Sequence, residues 1–145
     1  MRHFRAIAGY LKSDQFFPGW TEEALEDYVE FHLRQQTICI AVRGRIITGV
    51  LIGWQQAEPR HIPFNWQRTD PHGMWWWWDQ FKADDTESAA TVGRAFIASQ
   101  PMCLGLPSVG LRHGKIKIYR PGMALRAYQK GMQLYGHVSS STRPA

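Results

Sequence analysis

The residue in this sequence best suited to chemistry is Asp79, which directly follows four consecutive tryptophans at positions 75–78. Side chains alternate between the two faces of a β-strand, so Asp79 is expected on the same face as Trp75 and Trp77. An apolar wall raises the pKa of a carboxyl group, because burial disfavours its charged form. Such a carboxylate can act as a general base toward an attacking amine. The other interpretation is that Asp79 only marks the solvent-exposed end of the strand.

A second candidate surface follows from the uneven distribution of charge along the 145 residues. The first 87 residues carry 9 basic and 12 acidic side chains, a net charge of 9 − 12 = −3, and the remaining 58 carry eight basic side chains and no carboxylate side chain. A basic half predicts binding to an anion, an acidic protein or nucleic acid, although a solvated basic face explains it equally well. Tyr119 and Tyr128 lie among the basic residues, as stacking on single-stranded bases would require. The candidate contacts are Arg112, Lys115, Lys117 and Arg120.

Other classes of site have little support. Cys39 and Cys103 are the only cysteines, and their separation predicts two reduced thiols rather than a disulfide framework or a zinc site. His61 and His72 are too far apart for a local metal motif, so no metal is expected. No apolar run approaches the roughly 18 residues of a membrane helix, and the N-terminus lacks a signal-peptide core. We therefore expect a cytoplasmic protein without a membrane partner. The chain also lacks a P-loop, a G-x-G-x-x-G motif and a nucleophile elbow.

The elements that must position these residues alternate between helical and strand periodicity. Gly93 interrupts the third predicted helix, which indicates either close packing of that helix on the sheet or contact with a ligand. The order predicts an α+β domain with helices packed on a largely antiparallel sheet. The predicted elements are helices at 2–12 and 21–35, strands at 37–42 and 46–54, a strand from Gly73 through Asp79, a helix ending near Ser99, strands at 108–112 and 115–120, and a weaker helix at 124–135.

Three local expectations concern the surroundings of the site. Asp84, with Glu87 three residues later, predicts a capping box at the start of the third helix. His32 lies on the apolar stripe of the second helix and is expected to be an ordinary half-buried histidine rather than a catalytic one. In the last hairpin, Ile116 and Ile118 are expected to face the core. Lys115, Lys117 and Tyr119 would face the other way.

The order of elements and several short motifs resemble the GNAT acyltransferase fold, in particular its shortened branch, the RTX toxin-activating lysine acyltransferases. The resemblance covers roughly residues 8–119. The length of the chain predicts one domain, which the resemblance makes a GNAT-like domain at residues 1–135, and the serine-rich composition of residues 136–145 predicts a flexible tail. The segments that carry the resemblance are Ser13 to Trp20, Ile46 to Trp54, Gly73 to Asp79, Thr86 to Pro101, and Arg112 to Lys115.

This resemblance implies an acyltransferase site. Asp79 falls where the family places its catalytic aspartate, so it would deprotonate the attacking amine. Acyl-CoA or an acylated acyl carrier protein would be the donor, held by the basic half of the chain. The substrate would lie against tryptophans, of which the expected four are Trp20, Trp54, Trp75 and Trp77.

Two departures from the family pattern favour an alternative without catalysis. The family's other key residue is a histidine three positions before Trp20, and this chain has Phe17 there, which cannot transfer a proton. The pyrophosphate loop Q/R-x-x-G-x-G/A is also missing, and the acidic residues between positions 84 and 87 would repel a phosphate at that helix start. The alternative is a GNAT-like binding or assembly protein, similar in outline to small phage-encoded, virion-associated proteins and partnered by phage structural proteins.

Overall fold

The computed structural model describes residues 3–12, 19–59, 70–112, 115–122, 126 and 129–130. Among these residues, no helix is both long and apolar enough to cross a membrane. The helices are α1 (His3–Lys12), α2 (Glu22–Gln35) and α3 (Thr86–Ser99), with a 3-10 turn at Pro101–Leu104. The strands are β1 (Ile38–Arg43), β2 (Ile46–Gln56), β3 (Trp75–Ala83), β4 (Ser108–Arg112) and β5 (Lys115–Tyr119).

The five strands form one sheet in the order β1-β2-β3-β4-β5. Neighbouring strands are antiparallel except for β3 and β4, which are parallel and are connected through α3. The predicted α+β fold with a largely antiparallel sheet is therefore confirmed, and both predicted hairpins form. β3 is longer than predicted, because its pairing with β2 continues from Trp75 to Ala83.

The tryptophan strand β3 is covered on both faces, as its sequence predicts. Trp77 packs with Trp54 and with buried residues of α1 and α2. Trp76 packs on the opposite face against Val92 and Phe96 of α3. Both Trp76 and Trp77 are 1% exposed. One strand therefore joins the two hydrophobic layers, which we call the α1/α2 face and the α3 face.

The two longer helices begin at side-chain caps. The Thr21 hydroxyl accepts a hydrogen bond from the Ala24 backbone N–H at 3.1 Å, as expected for an N-cap. The predicted capping box of α3 is wrong, because the N-cap is Asp85, whose carboxylate accepts from the Ser88 N–H at 2.7 Å. Asp84 instead extends the hydrogen bonding of β3 to β2 by one residue, because its backbone N–H donates to the Thr48 backbone carbonyl at 2.8 Å.

The expectation that Ile116 and Ile118 face the core is also wrong. They pair with Leu111 and Val109 of β4, which places them on the α1/α2 face of the sheet. Nevertheless, Ile116 is 47% exposed and Ile118 57% exposed. The reason is that α1 and α2 pack mainly on β1 and β2, at the other end of the sheet.

Several expectations concern residues outside the described ranges. These residues are Phe17, most of the segment that connects β2 to β3 (which contains His61), and the tail at residues 136–145. Of the predicted helix at 124–135, only residues 126, 129 and 130 are described, and they are helical. The proposed domain limits stay predictions.

Candidate functional site

Asp79 lies at an irregularity in β3. Ile52 pairs with Gln80 and Gly53 pairs with Trp78, so Asp79 is an extra residue between two paired positions. A β-bulge of this kind redirects a side chain and shifts the alternation beyond it. Asp79 shares the α1/α2 face with Trp77, as alternation predicts, and the bulge then brings Phe81, which pairs with Leu51, to the α3 face.

Trp77 and Tyr28, both in the described part of the chain, donate hydrogen bonds to the Asp79 carboxylate. The Trp77 indole Nε1 donates to Oδ1 at 2.9 Å, and the Tyr28 hydroxyl donates to Oδ2. Asp79 is partly exposed, and β3 continues beyond it to Ala83, so it does not mark the end of the strand. Hydrogen bonds to a carboxylate favour its charged form, which opposes the effect of the surrounding tryptophans. Asp79 is therefore a carboxylate held in an apolar setting by specific donors.

Tyr28 is the part of this site that sequence patterns did not identify. It lies on the buried stripe of α2, where its spacing is that of an ordinary core residue. Burial, followed by the negative charge of Asp79, raises the pKa of Tyr28 well above its ordinary value. Tyr28 is therefore a protonated donor and not a base. The sequence does indicate that a buried tyrosine hydroxyl needs a hydrogen-bond partner, but it does not identify Asp79 as that partner.

Aromatic rings surround Tyr28. Trp20 contacts it edge-on with ring centroids 5.6 Å apart, and His32 does so at 4.7 Å. Trp54 stacks on His32 with an interplanar angle of 15°. Of the four tryptophans expected to line a substrate site, Trp54 and Trp77 are buried, while Trp20 and Trp75 are partly exposed. Only the last two present ring surface to a ligand.

His32 is fully buried rather than half-buried as expected. Its Nδ1 lies 2.7 Å from the Thr37 hydroxyl oxygen, and burial lowers the pKa of His32 to about 3. An imidazole with so low a pKa is neutral and is a poor base near neutral pH. His32 therefore does not supply the proton transfer that Phe17 cannot perform.

The parallel strands β3 and β4 pair over three residues only. Residues 76–78 pair with residues 108–110, and β3 then continues to Ala83 against β2. Among the described residues, the β3–β4 ladder therefore ends beside Asp79, and we call this place the β3–β4 wedge. Main-chain groups that leave a ladder require other hydrogen-bond partners.

The start of α3 is occupied by the protein's own charges. Asp85 caps the helix, and Arg43 contacts the carboxylates of Asp85 at 3.2 Å and Glu87 at 3.6 Å. The Ser88 backbone N–H, together with weaker contributions that include Arg43, lowers the pKa of Asp85. Carboxylates at a helix N-terminus repel phosphate, so this helix start is a poor site for a pyrophosphate, as its acidic sequence predicts.

The basic positions expected to bind an anion lie away from Asp79. Lys115, Lys117 and Arg120 are exposed, while the side chain of Arg112 lies outside the described part of the structure. Lys117 pairs with Gly110, which pairs with Trp78, so Lys115 and Lys117 lie on the α3 face. Asp79 is on the α1/α2 face. The structure therefore places Lys115 and Lys117 on the face of the sheet opposite to Asp79.

The described residues hold no cluster of three or more histidine, cysteine, aspartate or glutamate side chains that could bind a metal. The two cysteines are both free thiols: Cys39 is partly exposed and Cys103 is buried. Burial raises the pKa of Cys103 to about 11, so it stays a protonated thiol near neutral pH.

Comparison with known proteins assigns no family to this chain. Neither a protein-family model nor a curated protein matches it. The resemblance to GNAT acyltransferases stays a prediction from short motifs, and function has to be argued from the geometry around Asp79.

Proposed function

We propose that this protein is a GNAT-like N-acyltransferase in which Asp79 is the general base. One observation supports the proposal: a partly exposed carboxylate, oriented by Tyr28 and Trp77, lies where the β3–β4 ladder ends. The partial exposure of Asp79 is compatible with receiving a proton from a substrate amine. The β3–β4 wedge would hold the extended part of the acyl donor.

In the proposed reaction, a substrate amine attacks the carbonyl carbon of a thioester. The new C–N bond forms, the C–S bond breaks, and Asp79 takes a proton from the attacking nitrogen. Asp79 then returns this proton to the departing thiolate sulfur, which restores the carboxylate. Tyr28 is a positioning residue, because its raised pKa keeps it a hydrogen-bond donor throughout.

The charges around α3 bear on the identity of the donor. Asp85 and Glu87 disfavour phosphates at the start of this helix. A coenzyme A donor would therefore place its pyrophosphate elsewhere, whereas an acylated carrier protein brings a single phosphate on its prosthetic arm. We propose the carrier protein as the donor and retain acyl-CoA as the comparison in the test.

Replacing Asp79 by asparagine tests the proposal. Asp79→Asn should abolish acyl transfer, because an amide cannot accept the proton, while its oxygen still receives the Tyr28 hydrogen bond. Asp84→Asn is the matched control, since Asp84 is a carboxylate at the end of the same strand that accepts from the Tyr10 hydroxyl at 2.9 Å. Turnover should be measured with an acylated carrier protein and with a long-chain acyl-CoA. Undiminished transfer by Asp79→Asn would contradict the proposal.

A non-catalytic GNAT-like interaction protein is the second candidate function. The capped and charge-paired start of α3 favours it, because the position of a donor phosphate is occupied by Asp85 and Arg43. A thermal-shift titration separates the two candidates. A ligand at a hundred times its dissociation constant stabilises a protein by about 2.7 kcal/mol, which gives a rise of several degrees here. No shift with any donor would favour the interaction protein, and the next experiment would be recovery of a partner, phage structural proteins included.

A further inference from the structure

β5 is the last strand of the sheet in the described part of the chain, and it pairs with β4. Its other main-chain edge faces away from the sheet. Residues 115–118 are exposed, and Tyr119 is partly exposed. An exposed strand edge is a template on which another extended segment can add as a further strand.

Along β5, isoleucine side chains point to one face of the sheet and lysine side chains to the other. Ile116 and Ile118 lie on the α1/α2 face, and both are about half exposed. Lys115 and Lys117 lie on the α3 face and are also exposed. A strand added here would meet an apolar row on one face and a positive row on the other.

We propose that the outer edge of β5 binds an extended acidic polypeptide segment by strand addition. The segment would alternate carboxylate side chains, opposite Lys115 and Lys117, with apolar side chains, opposite Ile116 and Ile118. Cross-strand pairs of opposite charge and of apolar residues both stabilise a sheet. From Ser88 onward the chain has eight basic and no acidic side chains, so this half attracts an acidic segment before contact. The site does not depend on the proposed role of Asp79.

A second copy of this chain fits the edge less well. In an antiparallel pair of two β5 strands with full overlap, Lys117 would lie opposite Lys117 of the other copy. Like charges directly opposite are destabilising, and edge lysines are a common device against self-association. The same lysines leave the edge open to a strand that carries carboxylates.

Nucleic acid also fits the edge less well. A phosphate backbone can contact Lys115 and Lys117 but cannot pair with the main chain of β5 as a strand does. It also leaves Ile116 and Ile118 without a partner. The alternation of lysine and isoleucine on one exposed strand therefore favours a polypeptide.

Binding of a synthetic peptide to the full-length protein tests this proposal. The probe is a peptide of about six residues that alternates glutamate with valine, a typical strand length. The comparison peptide has the same composition with its glutamates grouped at one end. We expect the alternating peptide to bind more tightly than the grouped peptide, and its affinity to fall as the salt concentration rises. Its binding should also slow hydrogen exchange of the β5 amides.

Two pairs of variants identify the surface that binds. Lys115→Glu/Lys117→Glu and Ile116→Thr/Ile118→Thr should each weaken peptide binding about tenfold, since each removes one row of cross-strand pairs. Arg45→Glu/Lys130→Glu makes the same change in net charge at exposed positions outside β5, and should have little effect. Val42→Thr/Ile46→Thr removes exposed apolar side chains from the β1–β2 hairpin and is the control for the isoleucines.

Four results would overturn the proposal. The first is equal binding, or no binding, of the two peptides. The second is peptide binding that does not slow hydrogen exchange of the β5 amides, or peptide binding to the Ile116→Thr/Ile118→Thr variant with the same affinity as to the unchanged protein. The third is binding of oligothymidylate, but not of the peptide, through Lys115 and Lys117, which would assign the surface to nucleic acid. The fourth is a dimer in sedimentation that Ile116→Thr/Ile118→Thr dissociates, which would make the occupant a second copy.

Discussion

At the scale of the residue, the orientation of Asp79 depends on two donors of different origin. Trp77 is two positions earlier on the same strand, so its place on the same face follows from strand geometry. Tyr28 comes from α2, and its contact depends on how that helix packs. A substitution of Tyr28 therefore changes the orientation of the Asp79 carboxylate without changing the carboxylate itself.

Tyr28→Phe should destabilise the protein by about 1.5–3 kcal/mol, the usual value of a hydrogen bond to a charged group. If Asp79 is the general base, kcat should fall more than KM changes, and the acid limb of the pH–rate profile should move to higher pH. The reason is that the ionised carboxylate loses a donor. Urea denaturation and the pH–rate profile are the measurements.

Tyr10→Phe is the control for that change. It removes the hydroxyl that donates to Asp84 at an exposed site, and should cost less than about 1 kcal/mol without moving the pH profile. Equal effects of the two tyrosine variants would argue against a special role for Tyr28.

His32 should make the protein sensitive to mild acid. Its folded-state pKa is about 3, below the ordinary value of 6.5, so between these values the unfolded chain binds more protons. Stability is therefore present above pH 6.5 and is lost as the pH falls, by about 2 kcal/mol between pH 7 and pH 5. Chemical denaturation at the two pH values measures this loss. His32→Gln should remove most of it, whereas His72→Gln, at an exposed histidine, should keep the wild-type profile.

At the scale of the element, a close approach of β2 and β3 explains Gly53. A Cβ atom at this position would lie 2.8 Å from Trp76 Nε1 and from Trp78 Cε3. Gly53 also pairs with Trp78, directly beside the bulge at Asp79. Gly93 differs, because a Cβ there would meet no atom within 4 Å. Close packing of α3 on the sheet, one of the two explanations offered for Gly93, is therefore wrong, and the glycine at a close contact is Gly53 of β2.

The two glycines give opposite predictions. Gly53→Ala should destabilise the protein by about 1–3 kcal/mol, because the added methyl group overpacks the tryptophans. Gly93→Ala should stabilise it by up to about 1 kcal/mol, because alanine favours a helix and the space is open. Thermal or urea unfolding of both variants provides the comparison. A neutral Gly53→Ala would show that the tryptophans can move away.

At the scale of the whole molecule, β3 joins two hydrophobic layers. Trp77 belongs to the layer under α1 and α2, and Trp76 to the layer under α3. Since the two side chains are adjacent on one strand, neither layer can lose its packing without disturbing the other. We therefore expect the described elements to unfold together.

Replacement of each central tryptophan by phenylalanine tests this expectation. Circular dichroism and tryptophan fluorescence should report one coincident transition in both variants. Trp77→Phe should cost about 1.5–3 kcal/mol more than Trp76→Phe, because the Trp77 N–H donates to Asp79. The buried Trp76 N–H has no hydrogen-bond partner among the described residues, so its loss is less costly. Two separate transitions would show that the layers are independent.

The sequence by itself determined the kinds of element and which residues share a strand face. Alternation placed Trp75 and Trp77 opposite Trp76 and Trp78, and it placed Asp79 with the first pair. Strand patterns at 37–42 and 46–54 and at 108–112 and 115–120 identified the strands of the two hairpins, and the helical pattern at 21–35 identified α2. These features follow from local periodicity and turn chemistry, which a single sequence contains.

Tertiary structure alone decided how these elements meet. The bulge at Asp79 depends on the register of β3 against β2. The partnership of Asp79 with Tyr28 and the burial of His32 depend on how α2 packs against the sheet. The exposure of Ile116 and Ile118 depends on which strands the helices cover. A sequence pattern states that a side chain faces one side of a strand, but burial and hydrogen-bond partners require the position of another element that is distant in the chain.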